Sequence, residues 1–198
     1  MLLADIAVPD SAVARAAYEV SATYSSPALL HHCRRSYVWA AALGDTRGIA
    51  YDAELLYVSA MLHDIGLVET FDNATLDFAD SGGHVAWVLG AGAGWPVERR
   101  TRAHEVIVRH MWDSVDVEMD AEGYLLEVAT GLDISGRNPQ WWPDELRADV
   151  LDHIPRLGLA TEFTACFRSQ AARKPESSAA AAVASGIADR IAANPLDR

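Results

Sequence analysis

Helical periodicity is the property of this sequence that most restricts its fold. Nearly every long segment places its apolar residues at helical spacing, and no window of strict apolar–polar alternation is long enough to suggest a sheet. Ser26 is a suitable N-cap, Pro27 is favoured at the first helical position, and Gly44 is a suitable stop. We therefore predict an all-α fold. The predicted helices cover residues 10–20, 26–44, 52–64, 81–94, 96–112, 123–136, 143–154 and 159–174.

The stretch 177–198 is rich in alanine and has a weaker pattern. Val183, Ile187 and Ile191 are spaced four residues apart, which predicts a helix with one narrow apolar stripe. The same composition also fits a frayed end, because chain termini are often loosely held. At 198 residues the chain is long enough to bury a sizeable core, so we expect a single domain over residues 1–198 that ends in this Ala-rich helix or tail.

The charge balance and the cysteine content restrict the partners and the compartment. The formal net charge is −12 and no segment clusters Lys and Arg, which argues against nucleic acid or an anionic membrane surface as a partner. The apolar stretches are shorter than the roughly 18–20 residues of a membrane span. The N-terminal MLLADIAVPD lacks the basic region of a secretory signal. Cys33 and Cys166 have no metal-type spacing and fit free thiols, so we expect a cytoplasmic protein.

Several histidines and carboxylates occur where the helical pattern predicts a buried side chain. In SAMLHDIGLVE, residues 59–69, the pair His63–Asp64 directly follows an apolar run, where an unpaired carboxylate is costly. His110 and Asp133 follow apolar stretches on two other predicted helices. Ligands on facing helices are the arrangement of a metal site in a bundle core. Imidazole and carboxylate donors without cysteine suit zinc, iron or manganese.

The order of these residues favours a metal site over isolated core residues. Taken singly, a histidine on an apolar face is more often a hydrogen-bonded core residue than a ligand. We expect Gly66 to end the helix, so that the adjacent His63 and Asp64 can both reach one ion. The candidates follow one another in the order His32, His63–Asp64, His84, His110 and Asp133.

This order resembles the signature of the HD superfamily of metal-dependent hydrolases, in which a His precedes a His-Asp doublet and a distant Asp. The segments SSPALLHHCRRSYVWA, LLYVSAMLHDIGL, GLDISG and IPRLGLATEF are similar to its cyanamide hydratase-like branch, over about residues 25–176. The resemblance implies a compact HD-domain helical bundle with its core at about 25–176 and a metal site between helices. The family motif, His followed three residues later by Arg, selects His32 with Arg35 rather than His31. The implied ligands of a divalent ion, zinc before iron or manganese, are His32, His63, Asp64 and Asp133.

The number of ions is left open by two further histidines. His84 lies where two-metal members of the superfamily place an additional ligand, and together with His110 it could hold a second ion. In the alternative with one metal, His110 is a polar group beside the ligands. A di-iron site with oxygenase chemistry would require both histidines as ligands.

The resemblance implies a hydratase that acts on a small molecule. Water activated by the metal would add to the C≡N group of a nitrile-type compound, as in the conversion of cyanamide into urea. Asp64 and His110 are the implied catalytic residues. Phosphohydrolases of the superfamily commonly carry a Lys where this chain has Leu67, which favours a small neutral substrate.

The substrate pocket is expected to include Arg35, Trp112 and Trp141. Two tryptophans in a loop after Asp133, Trp141 and Trp142, could cap the pocket or form a homodimer interface.

Two other functions remain open at this point. A metal-dependent phosphohydrolase for a nucleotide or another phosphate ester would be favoured by a basic pocket built from Arg34, Arg35 and Arg109. A non-catalytic protein of the same fold would keep the ligands for stability or signalling. Its metal ion would have no free coordination position, or no ion would be bound.

Overall fold

All regular secondary structure in the described part of the chain is helical. The computed structural model describes residues 1–197, and this range contains ten α-helices and no β-strand, which confirms the predicted all-α class. The predicted domain end at Arg198 lies outside the described residues. The α-helices are Ala12–Tyr24 (α1), Pro27–Arg47 (α2), Ala53–Leu62 (α3), Phe78–Gly92 (α4), Val97–Arg109 (α5), Ala121–Ser135 (α6), Asp144–His153 (α7), Leu159–Arg173 (α8), Ser178–Ala184 (α9) and Ile187–Ala192 (α10). Short 3-10 turns cover Leu3–Asp5, Ile65–Leu67, Pro139–Trp141 and Pro195–Asp197.

Side-chain caps determine where the helices around the site begin. The Ser26 hydroxyl accepts a hydrogen bond from the Leu29 N–H at 3.1 Å, directly before Pro27 opens α2. The Asp52 carboxylate accepts a hydrogen bond from the Leu55 N–H at 3.0 Å at the start of α3. Each cap satisfies one of the N–H groups that the first turn of a helix leaves unpaired. Because these caps are local, the starts of both helices follow from the sequence.

The end of α2 differs from the predicted stop at Gly44. The helix continues to Arg47, and it is Gly48 that adopts the left-handed conformation of a helix stop, with φ +66°. Gly44 is buried inside the helix, where a Cβ would lie 2.7 Å from the ring of Tyr51. The glycine at position 44 therefore allows a close approach between the chain segments and does not terminate the helix.

The packing puts α2 at the centre of the molecule. This helix is buried over most of its length and packs against α1, α3, α6 and α8. Its polar side chains His32 and Arg35 are 0% exposed, so they must find their partners inside the protein. The main apolar cluster joins α2 to α3, α5 and α6, and a second cluster includes Phe78, Phe163 and Phe167.

The C-terminal segment forms two short helices and not the single helix with an apolar stripe that the sequence predicts. Gly186, with φ +78°, separates α9 from α10. Ala179, Ile191 and Leu196 are buried, so this segment adds to the packed interior. Both α9 and α10 pack against α8, and α10 also contacts α6. The Ala-rich region is therefore helical and docked over residues 178–196.

Within residues 1–197, no helix combines the length and the apolar content that crossing a bilayer would require. The longest helix, α2, has 21 residues and carries Arg34, Arg35, Asp45 and Arg47.

Candidate metal centre

Three side chains from two helices converge in the interior. His32 lies on α2, and His63 is the residue at which α3 ends, followed directly by Asp64. Each of the three offers one ligand atom, and these atoms all lie within 4.8 Å of one another. All three residues are 0% exposed. Within residues 1–197, no other group of three His, Cys, Asp or Glu side chains has its ligand atoms this close together.

The chain brings the adjacent His63 and Asp64 to one point by leaving the helix between them. Asp64 has φ −105° and ψ 5°, and a 3-10 turn over Ile65–Leu67 follows. Gly66 contributes through close packing, because a Cβ on it would lie 2.1 Å from the backbone oxygen of Phe78. Its role is therefore to admit the first turn of α4 next to the doublet, and the expected helix-ending role is replaced by this contact.

The three donor atoms are closely spaced. The Nε2 atoms of His32 and His63 are 3.0 Å apart, and each lies 3.2 Å from Oδ2 of Asp64. Two ring nitrogens and a carboxylate oxygen at these distances repel one another unless a proton or a metal cation lies among them. Burial alone would lower the pKa of His32, but the carboxylates of Asp133 and Asp64 raise it, so this group attracts positive charge. Burial alone would raise the pKa of Asp64, but the neighbouring His63 and His32 side chains lower it below its ordinary value, which favours the ionised carboxylate.

Hydrogen bonds on the far side of each ring fix the tautomers. Nδ1 of His63 donates to the carbonyl oxygen of Ala60 at 2.8 Å, which leaves the Nε2 lone pair facing Asp64. Nδ1 of His32 lies 2.7 Å from Oδ2 of Asp133 and donates to it. This arrangement, in which the outer ring nitrogen is held by an oxygen and the inner one is free to bind, is typical of metal-ligating histidines.

The Asp64 carboxylate tests whether a metal ion fits this group. Both of its oxygens are buried and accept no hydrogen bond from any described residue. Leaving a buried ionised carboxylate without such partners is expensive, and a bound cation removes the cost. With two imidazoles and no thiolate, the donor set fits a divalent ion such as zinc, iron or manganese.

His110 lies beside the three donors. It follows α5, its Nδ1 donates to the carbonyl oxygen of Ile107, and its Nε2 is 3.7 Å from Oδ1 of Asp64. Burial and the neighbouring His63 lower the pKa of His110 to about 4, so the ring is neutral near pH 7. His110 therefore presents a lone pair toward the centre, as a further donor atom or as a proton acceptor.

Asp133 does not join the donor group, in contrast to the ligand role that the family resemblance implies. Its Oδ1 accepts hydrogen bonds from Nε of Arg35 at 2.8 Å and Nε1 of Trp39 at 2.9 Å. Its Oδ2 accepts from Nη2 of Arg35 at 2.8 Å and from Nδ1 of His32. Both oxygens are thus occupied on the side of the His32 ring opposite Nε2. Burial by itself raises the pKa of Asp133, but the charge of Arg35 and the hydrogen bond of His32 lower it well below its usual value.

The predicted pair for a second ion is not formed. His84 is exposed on α4, where its ring centre lies 4.9 Å from that of His104. His110 is buried at the three-donor group. The two histidines therefore belong to different parts of the molecule, because the helical phase of α4 turns His84 outward.

A cavity of about 180 Å³ opens onto His32, His63, Asp64 and His110. Trp112 lines it, as predicted, but Arg35 and Trp141 do not. Arg35 is turned toward Asp133 by its paired hydrogen bonds, and Trp141 packs under the guanidinium of Arg47 at 4.0 Å. Leu67 also lies outside the cavity lining, in the second apolar cluster. The remaining wall is formed by Met111, Asp113, Glu127, Thr130, Gly131, Ile134, Ser135, Arg137, Phe163, Phe167, Ala182, Ile187 and Arg190.

Three charged residues of the cavity were missed by the sequence reasoning. Glu127 is 4% exposed and lies between Leu126 and Val128, so the rule that singled out Asp133 could have found it. Burial raises the pKa of Glu127, against the opposing effect of the hydrogen bond from Arg137. Arg137 and Arg190 reach the cavity through the loop after α6 and through α10, and the sequence carries no signal for either placement.

Comparison with known proteins shows which proteins this chain resembles in sequence. No family model matches the chain. The chain is 28% identical over 171 residues to cyanamide hydratase DDI2 of Saccharomyces cerevisiae, and the match covers 84% of this chain and 76% of the yeast protein. It is similar to cyanamide hydratase. The same values apply to cyanamide hydratase DDI3 of that yeast. This similarity supports a cyanamide hydratase-like relationship and an enzymatic role.

Proposed function

We propose that this chain is a metal-dependent hydratase of the HD type, which adds water to the C≡N group of a small nitrile-type compound. Cyanamide, with urea as product, is the first substrate to test. The observation that carries the proposal is the buried Asp64 carboxylate without a hydrogen-bond donor, at 3.2 Å from two histidine nitrogens. The similarity to two cyanamide hydratases supports the same assignment.

The residues that would hold the ion are His32, His63 and Asp64. When bound, a divalent ion would act as a Lewis acid. It would lower the pKa of water so that hydroxide is available as a nucleophile near neutral pH. Asp133 acts through His32, because its hydrogen bond to Nδ1 holds the ring in the tautomer that binds.

The addition needs one proton acceptor and one proton donor in the cavity. One O–H bond of water breaks, a C–O bond forms, one π bond of the C≡N group breaks, and the nitrogen takes up a proton. Nε2 of His110 carries a lone pair toward the centre and accepts the proton from water. Glu127 lines the same cavity, but its carboxylate accepts a hydrogen bond from Arg137, so the protonated His110 is the group that returns the proton to nitrogen. The isourea formed from cyanamide then tautomerises to urea.

The size of the cavity agrees with a small substrate. Its volume of about 180 Å³ is below the roughly 300–1,000 Å³ of sites for drug-sized ligands. The phenyl rings of Phe163 and Phe167 form an apolar part of its wall. A linear molecule of a few heavy atoms can therefore enter and reach the donor group.

A phosphohydrolase remains the second candidate, because Arg137 and Arg190 line the cavity. A phosphate ester would need these guanidinium groups for charge-assisted hydrogen bonds. Arg137 donates to the Glu127 carboxylate, and Arg190 donates to the carbonyl oxygen of Ser185 at 2.6 Å. Both cations are thus already engaged within the protein, which favours the neutral substrate.

The arginines named from the sequence do not supply a phosphate site either. Arg35 is paired with Asp133, and Arg109 donates to Asp120 at 2.6 Å. Neither residue nor Arg34 lines the cavity.

The test uses the full chain, freed of metal and reloaded with zinc, iron or manganese. Urea release from cyanamide is measured beside phosphate release from p-nitrophenyl phosphate and a nucleoside monophosphate. We expect urea release that His63→Ala abolishes together with ion binding, while His153→Ala on the exposed end of α7 leaves both intact. Phosphate release alone would establish the second candidate. A fully loaded chain that releases neither product would contradict both enzymatic functions.

A further inference from the structure

A second cluster of histidine and carboxylate side chains lies on the outer face of α4 and α5, with its ligand atoms farther apart than those of the buried centre. Asp80 and His84 are one helical turn apart on α4, so they share a face of that helix. His104 on α5 faces them, with its ring centre 4.9 Å from that of His84 and its Nε2 3.8 Å from Oδ1 of Asp80. Two imidazoles and a carboxylate from facing helices form the same kind of donor set as the buried centre.

The position of His104 is built into the helix pair. A Cβ on Gly83 would lie 2.5 Å from Cδ2 of His104, so only glycine at that position admits the ring against α4. The ring therefore lies against Gly83, with the carboxylate of Asp80 and the ring of His84 nearby. Nε2 of His104 is buried by this packing and has no hydrogen-bond partner in the described range. A buried polar nitrogen without a partner is uncommon in proteins and calls for a ligand.

The protonation state of His104 suits metal binding. Burial and the neighbouring His84 lower the pKa of His104, against the opposing charges of Asp80 and Glu105. The ring is therefore neutral near pH 7, which is the form that coordinates a metal. The side chain of Asp80 is 39% exposed, so it can turn at little cost.

We propose that Asp80, His84 and His104 form a second binding site for a divalent transition-metal ion, separate from the buried centre. Two ligand atoms at about 2.1 Å from a tetrahedral ion are about 3.4 Å apart. The 3.8 Å between His104 and Asp80 is close to this separation. His84 is exposed, so a change of rotamer brings its nitrogen to the ion. Imidazole-rich sites of this kind bind copper, nickel and zinc most tightly.

An ion at this site would link α4 to α5 next to the buried centre. Gly82 of α4 packs against the backbone of Leu62 and His63, because a Cβ on it would lie 2.8 Å from the Leu62 carbonyl oxygen. α5 leads directly into His110. The outer site therefore clamps the two helices that support one side of the centre, and occupancy should raise the thermal stability of the chain.

Counting ions per chain tests this proposal independently of any activity. The full chain, with its centre saturated with zinc, is dialysed against micromolar Ni²⁺ or Zn²⁺, and bound ions are quantified by elemental analysis. We expect one equivalent beyond the buried ion, together with an increase in melting temperature. His84→Ala, at an exposed position, should lose the additional ion and the increase while keeping the first ion. His153→Ala, which removes a His–Asp pair of the same spacing on α7, should keep both ions.

Combining His84→Ala with His63→Ala separates the two sites. If the proposal is right, each single variant loses one ion and the double variant loses both, so failure of the buried centre would not hide the outer one. His104→Gln gives a second readout, and its far-ultraviolet circular dichroism shows whether it is folded. Retention of the additional ion in His84→Ala, or a wild-type chain that binds no ion beyond the centre's, would overturn the proposal.

Discussion

The variant Asp133→Asn tests whether Asp133 is itself a metal ligand or only holds the ligand His32 in position. In this structure the Asp133 carboxylate accepts two hydrogen bonds from Arg35, one from Trp39 and one from Nδ1 of His32, and none of its contacts is with Asp64 or His63. Asparagine keeps the shape but removes the charge and one acceptor oxygen. We therefore expect a large loss of stability and only a partial loss of metal affinity.

The magnitude follows from burial. Asp133 and Arg35 are both 0% exposed, and removing one partner of a buried ion pair costs about 3–5 kcal/mol. Loss of a hydrogen bond to the outer nitrogen of a ligating histidine weakens metal binding about 10–100-fold, or about 1.4–2.7 kcal/mol. The variant should thus unfold at lower urea concentration even in EDTA, yet still bind one ion at its centre when zinc is in excess.

Asp64→Asn is the matched comparison at the same burial. No described residue donates a hydrogen bond to the Asp64 oxygens, so this change should abolish ion binding with a much smaller loss of stability in EDTA. Urea unfolding followed by circular dichroism, and zinc affinity by chelator competition, give the two quantities for both variants. Arg35→Met combined with Asp133→Asn should recover stability relative to Asp133→Asn alone, because both buried charges are then removed.

The refuting result is specific. If Asp133→Asn abolished ion binding as completely as Asp64→Asn and left the free energy of unfolding in EDTA unchanged, Asp133 would be a ligand, as the family resemblance implies. The hydrogen bonds to Arg35 and His32 would then describe only the ion-free protein.

Two further predictions concern packing and pH. Gly66→Ala should lower the free energy of unfolding by about 3 kcal/mol or more, because its Cβ would lie 2.1 Å from a backbone oxygen; Gly158→Ala, with no atom within 4 Å, is the control in the same urea titration. Burial alone would raise the pKa of Asp120, but the hydrogen bonds from Arg102, Arg109 and the Gly123 N–H together lower it below its ordinary value. Its contribution to stability is present above the ordinary value of 3.8 and is lost as the pH falls through the lowered one. Unfolding between about pH 2 and 6 should show this loss, and Asp120→Asn should reduce its slope whereas Asp116→Asn should not.

The sequence predicts those parts of the fold that depend on local chemistry. Caps such as Ser26 and Asp52 act within one helical turn, so the starts of α2 and α3 are predicted within a residue. The end of α2 is not predicted correctly, because the glycine at position 44 makes room for the ring of Tyr51. Tyr51 lies beyond the end of α2 and contacts Gly44 only after the chain folds back. The break of the C-terminal helix at Gly186 was likewise missed, since an isolated glycine is tolerated in a helical pattern.

For the site as well, the sequence identifies most of the residues but does not predict how their side chains are oriented. His63 and Asp64 were singled out because they directly follow a buried helical run, and His32 because of the family motif; the structure brings their ligand atoms together. Asp133 was selected by the apolar stretch before it and by the family order, and neither can tell whether its oxygens face His32 from the side of Nε2 or of Nδ1. Arg35 and Trp39, one and two turns from His32 on the same helix, decide this by binding both oxygens.

Two buried carboxylates with opposite surroundings therefore lie on either side of one imidazole ring. Asp133 is surrounded by donors, and its charge is balanced by Arg35 without any ligand. Within residues 1–197, Asp64 has no donor of its own and lies against nitrogens whose outer positions are already hydrogen-bonded. A core that contained only the first carboxylate would be self-sufficient. A cation among Asp64, His32 and His63 would stabilise the second, and this charge imbalance, more than the His-Asp doublet itself, is the physical argument for the proposed metal centre in this chain.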